Sequence, residues 1–164
     1  MEIKKATSDD VEIIQQLAET IWPICYGNII SAEQLRYMLD LIYTPNALVA
    51  QIEKGHQFIL AYQANIPIGF ASFSIKSSEE STTFRLHKIY VLTKLQTKGV
   101  GSLLLEYVIA KCKIAGAKLL ELNVNKYNAA KNFYEKKGFA FLKEEVIDIG
   151  NGYIMDDYVM VLPL

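Results

Sequence analysis

An α/β sandwich built on a mixed sheet is the fold class this sequence predicts, and three observations predict it. Short β-rich runs alternate with amphipathic helical stretches along the whole chain. Three strand signals follow one another between residues 57 and 92, and the last two strands flank a glycine-rich turn, so hairpins and a strand–helix–strand crossover are both present. With 164 residues, of which 51% are hydrophobic, the chain can bury one sizeable core, and its length argues for a single domain over residues 1–164.

The first strand is Glu2–Ala6. Ser8 is a candidate N-cap with Asp9 and Asp10 in the first turn; Val11, Ile14, Leu17, Ala18 and Ile21 fall at helical spacing up to a stop at Trp22-Pro23. Ser31 caps a second helix, in which Leu35, Met38, Leu39 and Ile42 share a face and which ends near Pro45. Residues 57–62 and 68–75 read as a hairpin around a turn at 64–67, and the polar run 76–82 turns into a strand over 83–92. Val100, Leu103, Leu104, Tyr107, Val108 and Cys112 then stripe one helical face until Gly116. A strand over 119–124 leads to a helix capped by Asn128 and closed by Gly138. Residues 139–149 and 153–161 form a final hairpin around Gly150-Asn151-Gly152.

Several function classes are disfavoured. A net charge of −1 offers no basic surface for nucleic acid. No eighteen-residue apolar run exists and the N-terminus lacks a signal peptide's hydrophobic region, so a cytoplasmic protein off the membrane is expected. Cys25 and Cys112 have no CxxC or histidine partners, which predicts neither disulfide framework nor metal site, and no sequence neighbour activates Cys25 as a nucleophile.

The stretch from Leu86 to Leu105 carries the chemistry: a β-rich run, a polar link, then Gln96-Thr97-Lys98-Gly99-Val100-Gly101 opening a helix. Two glycines allow close backbone approach, and the unpaired amides of a first helical turn, with the positive end of the helix dipole behind them, favour a phosphate. A Walker loop needs Gly-Lys-Ser/Thr, which is absent, and a dinucleotide fingerprint needs a third glycine where Leu104 stands. The pattern Gln-x-x-Gly-x-Gly after a strand instead resembles the acetyl-CoA loop of the GNAT superfamily of N-acetyltransferases. A second block, Asn125-Lys126-Tyr127-Asn128-Ala129-Ala130-Lys131-Asn132-Phe133-Tyr134 up to Gly138-Phe139, is similar to that superfamily's Asn-x-x-Ala-x-x-Phe-Tyr-x-x-x-Gly-Phe helix.

That resemblance implies a three-layer sandwich whose mostly antiparallel mixed sheet has splayed central strands and flanking helices. It implies acetyl-CoA as donor, with no metal. The cofactor would be held by backbone around Tyr90, Val91 and Leu92, by Gln96, Thr97, Lys98, Gly99, Val100, Gly101 and Ser102, and by Asn125, Asn128, Ala130 and Tyr134. Asn128 also reads as a plain helix cap. Tyr134 matches the family's general acid, and a phenol near pKa 10 stays protonated to donate at pH 7. A lysine-like amine near pKa 10.4 costs roughly 4.6 kcal/mol to deprotonate at pH 7, so a proton acceptor is needed. His87, in a Leu-His-x-x-x-Val strand like that of arylalkylamine acetyltransferases, is the candidate, acting directly or through water and also meeting the substrate.

Trp22, Tyr26 and Tyr37 lie in the segment that covers the acceptor side in the family, and Tyr26 is a candidate substrate contact; His56 reads as an exposed turn residue. The phrases Trp22-Pro23-x-x-Tyr26-Gly27 and Tyr153-Ile154-Met155-Asp156-Asp157-Tyr158 look most like a bacterial branch with spermidine and diamine acetyltransferases. Beyond Phe139, Glu144, Glu145, Asp148, Asp156 and Asp157 face one Lys143, which would favour a cationic small amine if the hairpin borders the site. A monomer or homodimer is expected. The alternative reading is a catalytically idle acetyl-CoA-binding sensor or partner module, for which His87 and Tyr134 would be dispensable.

Overall fold

The computed structural model describes residues 1–76, 82–93 and 98–164. In chain order the elements are β1 (Glu2–Ala6), a 3-10 turn (Ser8–Asp10), α1 (Val11–Tyr26), α2 (Ala32–Tyr43), α3 (Pro45–Glu53), β2 (Gln57–Gln63), β3 (Ile66–Ile75) and β4 (Thr83–Val91). There follow α4 (Val100–Ile114), β5 (Leu119–Asn125), α5 (Ala130–Lys136), β6 (Ala140–Gly150) and β7 (Tyr153–Pro163). The strands form a seven-stranded sheet in the order β1-β2-β3-β4-β5-β7-β6, antiparallel except for the β4–β5 pair.

The sheet separates two cores. One gathers Val100, Leu104, Leu105, Val108 and Cys112 of α4 and Tyr134 of α5 against Phe84, Leu86, Leu120 and Leu122. The other packs Ile14, Leu17, Ile21 and Trp22 of α1, Leu39 of α2 and Leu48 of α3 on Phe58, Leu60 and Phe70. Each fully buried large apolar side chain contributes about 1.5–3 kcal/mol, so the two stripes at helical spacing are what clamp the helices to the sheet. Two turns match their chemistry: Ala64 and Asn65, both at positive φ, make the two-residue β2–β3 connection, and Gly150, Asn151 and Gly152, also at positive φ, close β6–β7.

Two helical expectations need correction. Thr7, not Ser8, caps the start, its own amide donating in return to the Asp10 carboxylate, and α1 does not stop at Pro23 but runs through it to Tyr26. Pro23 forfeits only its own amide bond, while the turn beyond it seats Tyr26 in the core beside Trp22, and burial of that ring outweighs the lost bond. Past Pro45 the chain makes α3, which periodicity alone did not show; Thr44 accepts from the Ala47 amide (3.2 Å) with Pro45 as first helical residue.

The two features that build a site lie on β4. Its pairing with β5 covers only Thr83↔Leu119 to Leu86↔Leu122; beyond, the strands diverge with their facing edges unpaired. On its other edge, Ser72 pairs with Lys88 and Phe73 with Leu86, leaving His87 as the extra residue of a β-bulge.

Candidate active site

The divergence of β4 from β5 opens a slot lined by His87, Tyr90 and Val91 on one side and by Val124, Asn128, Ala130 and Tyr134 on the other. Helix α5, whose Tyr134 lines the slot, packs beside the N-terminus of α4. Gly99 caps α4 at φ +92°, a conformation that favours glycine, and no side chain bonds over the first turn. Its carbonyl accepts the Leu103 amide (2.9 Å), and the amides of Val100, Gly101 and Ser102 have no backbone acceptor among the described residues. A Cβ on Gly101 would stand in ordinary contact with the Phe133 ring, at 3.6 Å, so α4 and α5 meet closely there without requiring glycine. An extended chain with polar groups fits the slot's strand edges, and a phosphate fits the helix end, so the residues present suit coenzyme A.

Not every expected cofactor contact is in this lining. Gln96 and Thr97 lie outside the described residues, and Lys98 is exposed before the cap. Leu92 is tied back to β3, its amide donating to the Ile68 carbonyl at 2.8 Å. Asn125 is buried with its side chain bonded to the Tyr127 amide (2.9 Å), and it faces the neighbouring chamber. Asn128 accepts from the Ala130 amide (2.9 Å), so it does tie down the start of α5 as well as line the slot.

Tyr134 is buried, its ring edge-on to Phe133 (5.3 Å) and Phe139 (5.6 Å). Burial pushes its phenol above the ordinary value of 10, so it is protonated at pH 7. The Cys25 thiol also lines the slot, but burial raises it and disfavours the thiolate.

On the α1–α3 side the slot meets a chamber of about 350 Å³, with which it shares Tyr26, His87, Lys88, Tyr90 and Asn123. Its aromatic wall is Trp22, Tyr26, Tyr43 and Tyr90; the Tyr26 and Tyr90 hydroxyls are 2.8 Å apart, and burial pushes Tyr26 up to about 12. The bulge turns two consecutive residues of β4 into this chamber. His87 stacks on His56, with ring centroids 4.1 Å apart, and its Nε2 is 2.7 Å from the Ser74 hydroxyl. Lys88, 8% exposed, donates to Gln51 Oε1 (2.6 Å) above the rings of Phe58 (5.3 Å) and Tyr43 (5.9 Å).

Electrostatics here differ from what residue type alone suggests. Burial, with His56, Lys88 and Arg85 nearby, lowers His87 to about 3, and burial with Lys88 and Lys54 lowers His56 to about 4. Both imidazoles are neutral near pH 7, so His87 does not titrate at the working pH. His56, read from sequence as an exposed turn residue, is instead half-buried in the wall. Burial also lowers Lys88 from 10.5 to about 8.

Four of the five acidic residues of the closing hairpin, Glu144, Glu145, Asp148 and Asp156, have partners and do not line the chamber. Lys126 bridges Glu144 (3.0 Å) and Asp156 (2.9 Å), Asp148 caps the Gly150 amide, and Glu145 accepts from Asn123 (2.7 Å). Only Asp157 of these lines the chamber. It is 6% exposed, with Oδ2 accepting from Asn123 (3.4 Å) and Oδ1 without a partner among the described residues, and burial raises its pKa. Tyr37, expected on this side, is occupied by the hairpin: its hydroxyl donates to the Ile149 carbonyl at 2.7 Å.

Sequence reasoning did not find Gln51, Lys88 or His56 as site residues. The Thr44-Pro45 pair was the available signal for the helix that carries Gln51; nothing in the sequence marked the bulge that turns Lys88 inward.

Residues 28–158 match the family described as Acetyltransferase (GNAT) domain. The chain is similar to the spermidine N(1)-acetyltransferase of Thermoplasma acidophilum, at 26% identity over 95% of this chain and 96% of the relative. Its fold superposes on the crystal structure of the PaiA N-acetyltransferase from the same organism in complex with coenzyme A, with TM-score 0.79 and 21% identity over 99% and 98% of the two chains. It also superposes on the structure of yncA from Salmonella typhimurium with its cofactor acetyl-CoA, with TM-score 0.68 and 20% identity over 100% and 94%.

Proposed function

We propose, on the premise that this chain belongs to the GNAT acetyltransferase family, that it moves the acetyl group of acetyl-CoA directly onto a primary amine of a small molecule. The chain is thus read as an acyltransferase of the EC 2.3.1 class whose donor lies in the slot and whose acceptor lies in the chamber. One observation carries the reading: the two cavities share the wall from His87 to Tyr90, at the point where β4 leaves β5, so an amine in one reaches a thioester in the other.

Bound acetyl-CoA supplies the activated acyl carbon; the C–N bond forms as the C–S bond breaks. The rest is work for side chains. Asp157, with one free oxygen and a raised pKa, is suited to draw in the ammonium and take its proton. His87, held neutral by burial, cannot retain that proton, and we assign it to positioning water or amine through its Ser74 partner. Tyr134, protonated and lining the slot, is suited to protonate the leaving thiolate. Two readings of the acceptor follow from the residues: the relative's name supports a polyamine, whereas a single chamber carboxylate supports a smaller amine. The test is release of free CoA thiol with a panel of polyamines, monoamines, amino acids and peptides. Acetylation of at least one amine is expected; binding of acetyl-CoA with no acceptor-dependent thiol release would favour an idle module and overturn the proposal.

A further inference from the structure

The acceptor chamber contains a cation that neither the slot nor the fold requires. Lys88 sits at its wall, almost fully buried, and its Nζ spends one donor on the neutral amide oxygen of Gln51. No carboxylate lies within ion-pair distance among the described residues. Its neighbours are aromatic faces and two neutral imidazoles, none of which accepts a hydrogen bond as an anion does. Gln51 is itself braced, its amide nitrogen donating to the Ile42 carbonyl at 2.8 Å, so the oxygen that steers Lys88 is fixed. A buried ammonium without a counter-ion is expensive, and an incoming anion is what relieves it. The same chamber carries the reciprocal deficit in Asp157, a buried carboxylate with an unpartnered oxygen.

We propose that the acceptor is an amino acid or a similarly zwitterionic amine, its carboxylate held by Lys88 and its amino group by Asp157. This rests on the reading of the chamber as the acceptor site. It deepens that reading by assigning the second charge of the acceptor as negative. Both unpaired charges of the chamber are matched by one zwitterion. A polyamine satisfies Asp157 but brings a second ammonium into a chamber that already holds one. The bulge at His87 is the device that makes this possible, since strict alternation would have put Lys88 on the opposite face from His87.

The experiment compares kcat/KM for α- and ω-amino acids with the same amines lacking the carboxylate, and with spermidine, in the wild type and in Lys88→Met. Direct titration of acetyl-CoA into both proteins is run alongside. The wild type is expected to favour at least one carboxylated member over its decarboxylated counterpart by tenfold or more. Lys88→Met is expected to shrink that ratio at least tenfold, chiefly through KM, while acetyl-CoA affinity shows that the variant is folded. Preference for spermidine or for the decarboxylated amines overturns the inference and leaves the transferase reading standing. So does a Lys88→Met variant that binds acetyl-CoA and keeps the wild-type ratio. Absence of acceptor-dependent turnover on every amine, carboxylated or not, counts against the transferase reading and the inference together. Should Lys88→Met fail to bind acetyl-CoA, Gln51→Leu removes the steering oxygen while keeping the cation, and an unchanged ratio there overturns the inference.

Discussion

Replacing Lys88 with methionine tests the charge balance of the chamber without any substrate. Burial lowers the Lys88 ammonium from 10.5 to about 8. At about 1.36 kcal/mol per pH unit, keeping that charge inside the fold costs about 3 kcal/mol below pH 8. The direction follows from proton counting. Between pH 8 and 10.5 the unfolded chain holds the proton and the folded chain has lost it, so wild-type stability gains relative to the variant as pH rises through that window. Below pH 8 both states are charged and the full penalty stands; above 10.5 both are neutral. Methionine keeps an unbranched stem over Phe58 and Tyr43 and has nothing to titrate, but it strips Gln51 Oε1 of its donor, an offset that is roughly the same at either pH. Thermal or urea unfolding of both proteins at pH 7 and pH 10 reads the difference of differences. For a chain of this length, about 3 kcal/mol corresponds to a change of roughly 6–12 °C in the gap between the two Tm values. Parallel stability curves across that range would refute the reasoning, because Lys88 would then carry its proton at no cost and the chamber would not be seeking an anion.

Tyr134→Phe keeps the ring against Phe133 and Phe139 and removes only the donor; kcat should fall by about 10- to 10⁴-fold with stability changed by less than about 1 kcal/mol, and full activity would send the search for the acid elsewhere. His87 and His56 should show no NMR titration between pH 6 and 8. Because their folded pKa values, about 3 and about 4, lie below the unfolded 6.5, the unfolded state binds more protons between them, and stability should fall as pH drops through that window; an imidazole titrating near 6.5 in the folded protein would contradict this. Gly99→Val places a β-branched residue at φ +92° on the first turn of α4, so calorimetry should show a large loss of coenzyme A affinity in a variant that still folds, and wild-type affinity would remove the helix end from the binding site.

What the sequence determined by itself was order and period. Alternation of strands and helices, the stripe from Val100 to Cys112, the positive-φ turns at Asn65 and Gly150-Asn151-Gly152, and the two blocks around Gly99 and Tyr134 all depend on residues close in the chain. Each reads correctly because local propensity and pattern agree with the fold. Where the reading failed, a distant partner decided. Pro23 reads as a stop, yet the helix continues because Tyr26 finds Trp22 and Tyr90; His56 reads as a turn residue, yet it lies flat on His87 across the strand connection. Acidic residues beyond Phe139 read as a negative surface, and distant partners decided where each one faces: Lys126 holds Glu144 and Asp156, while Asp157 lines the chamber. Tertiary structure alone decided which charges face the chamber. A strand's side chains alternate until an extra residue is inserted, and whether His87 is that residue is set by the register with Ser72 and Phe73 on a different strand. Lys88 therefore points into the chamber, desolvated and with no carboxylate partner among the described residues, for a reason that no window of sequence around it contains.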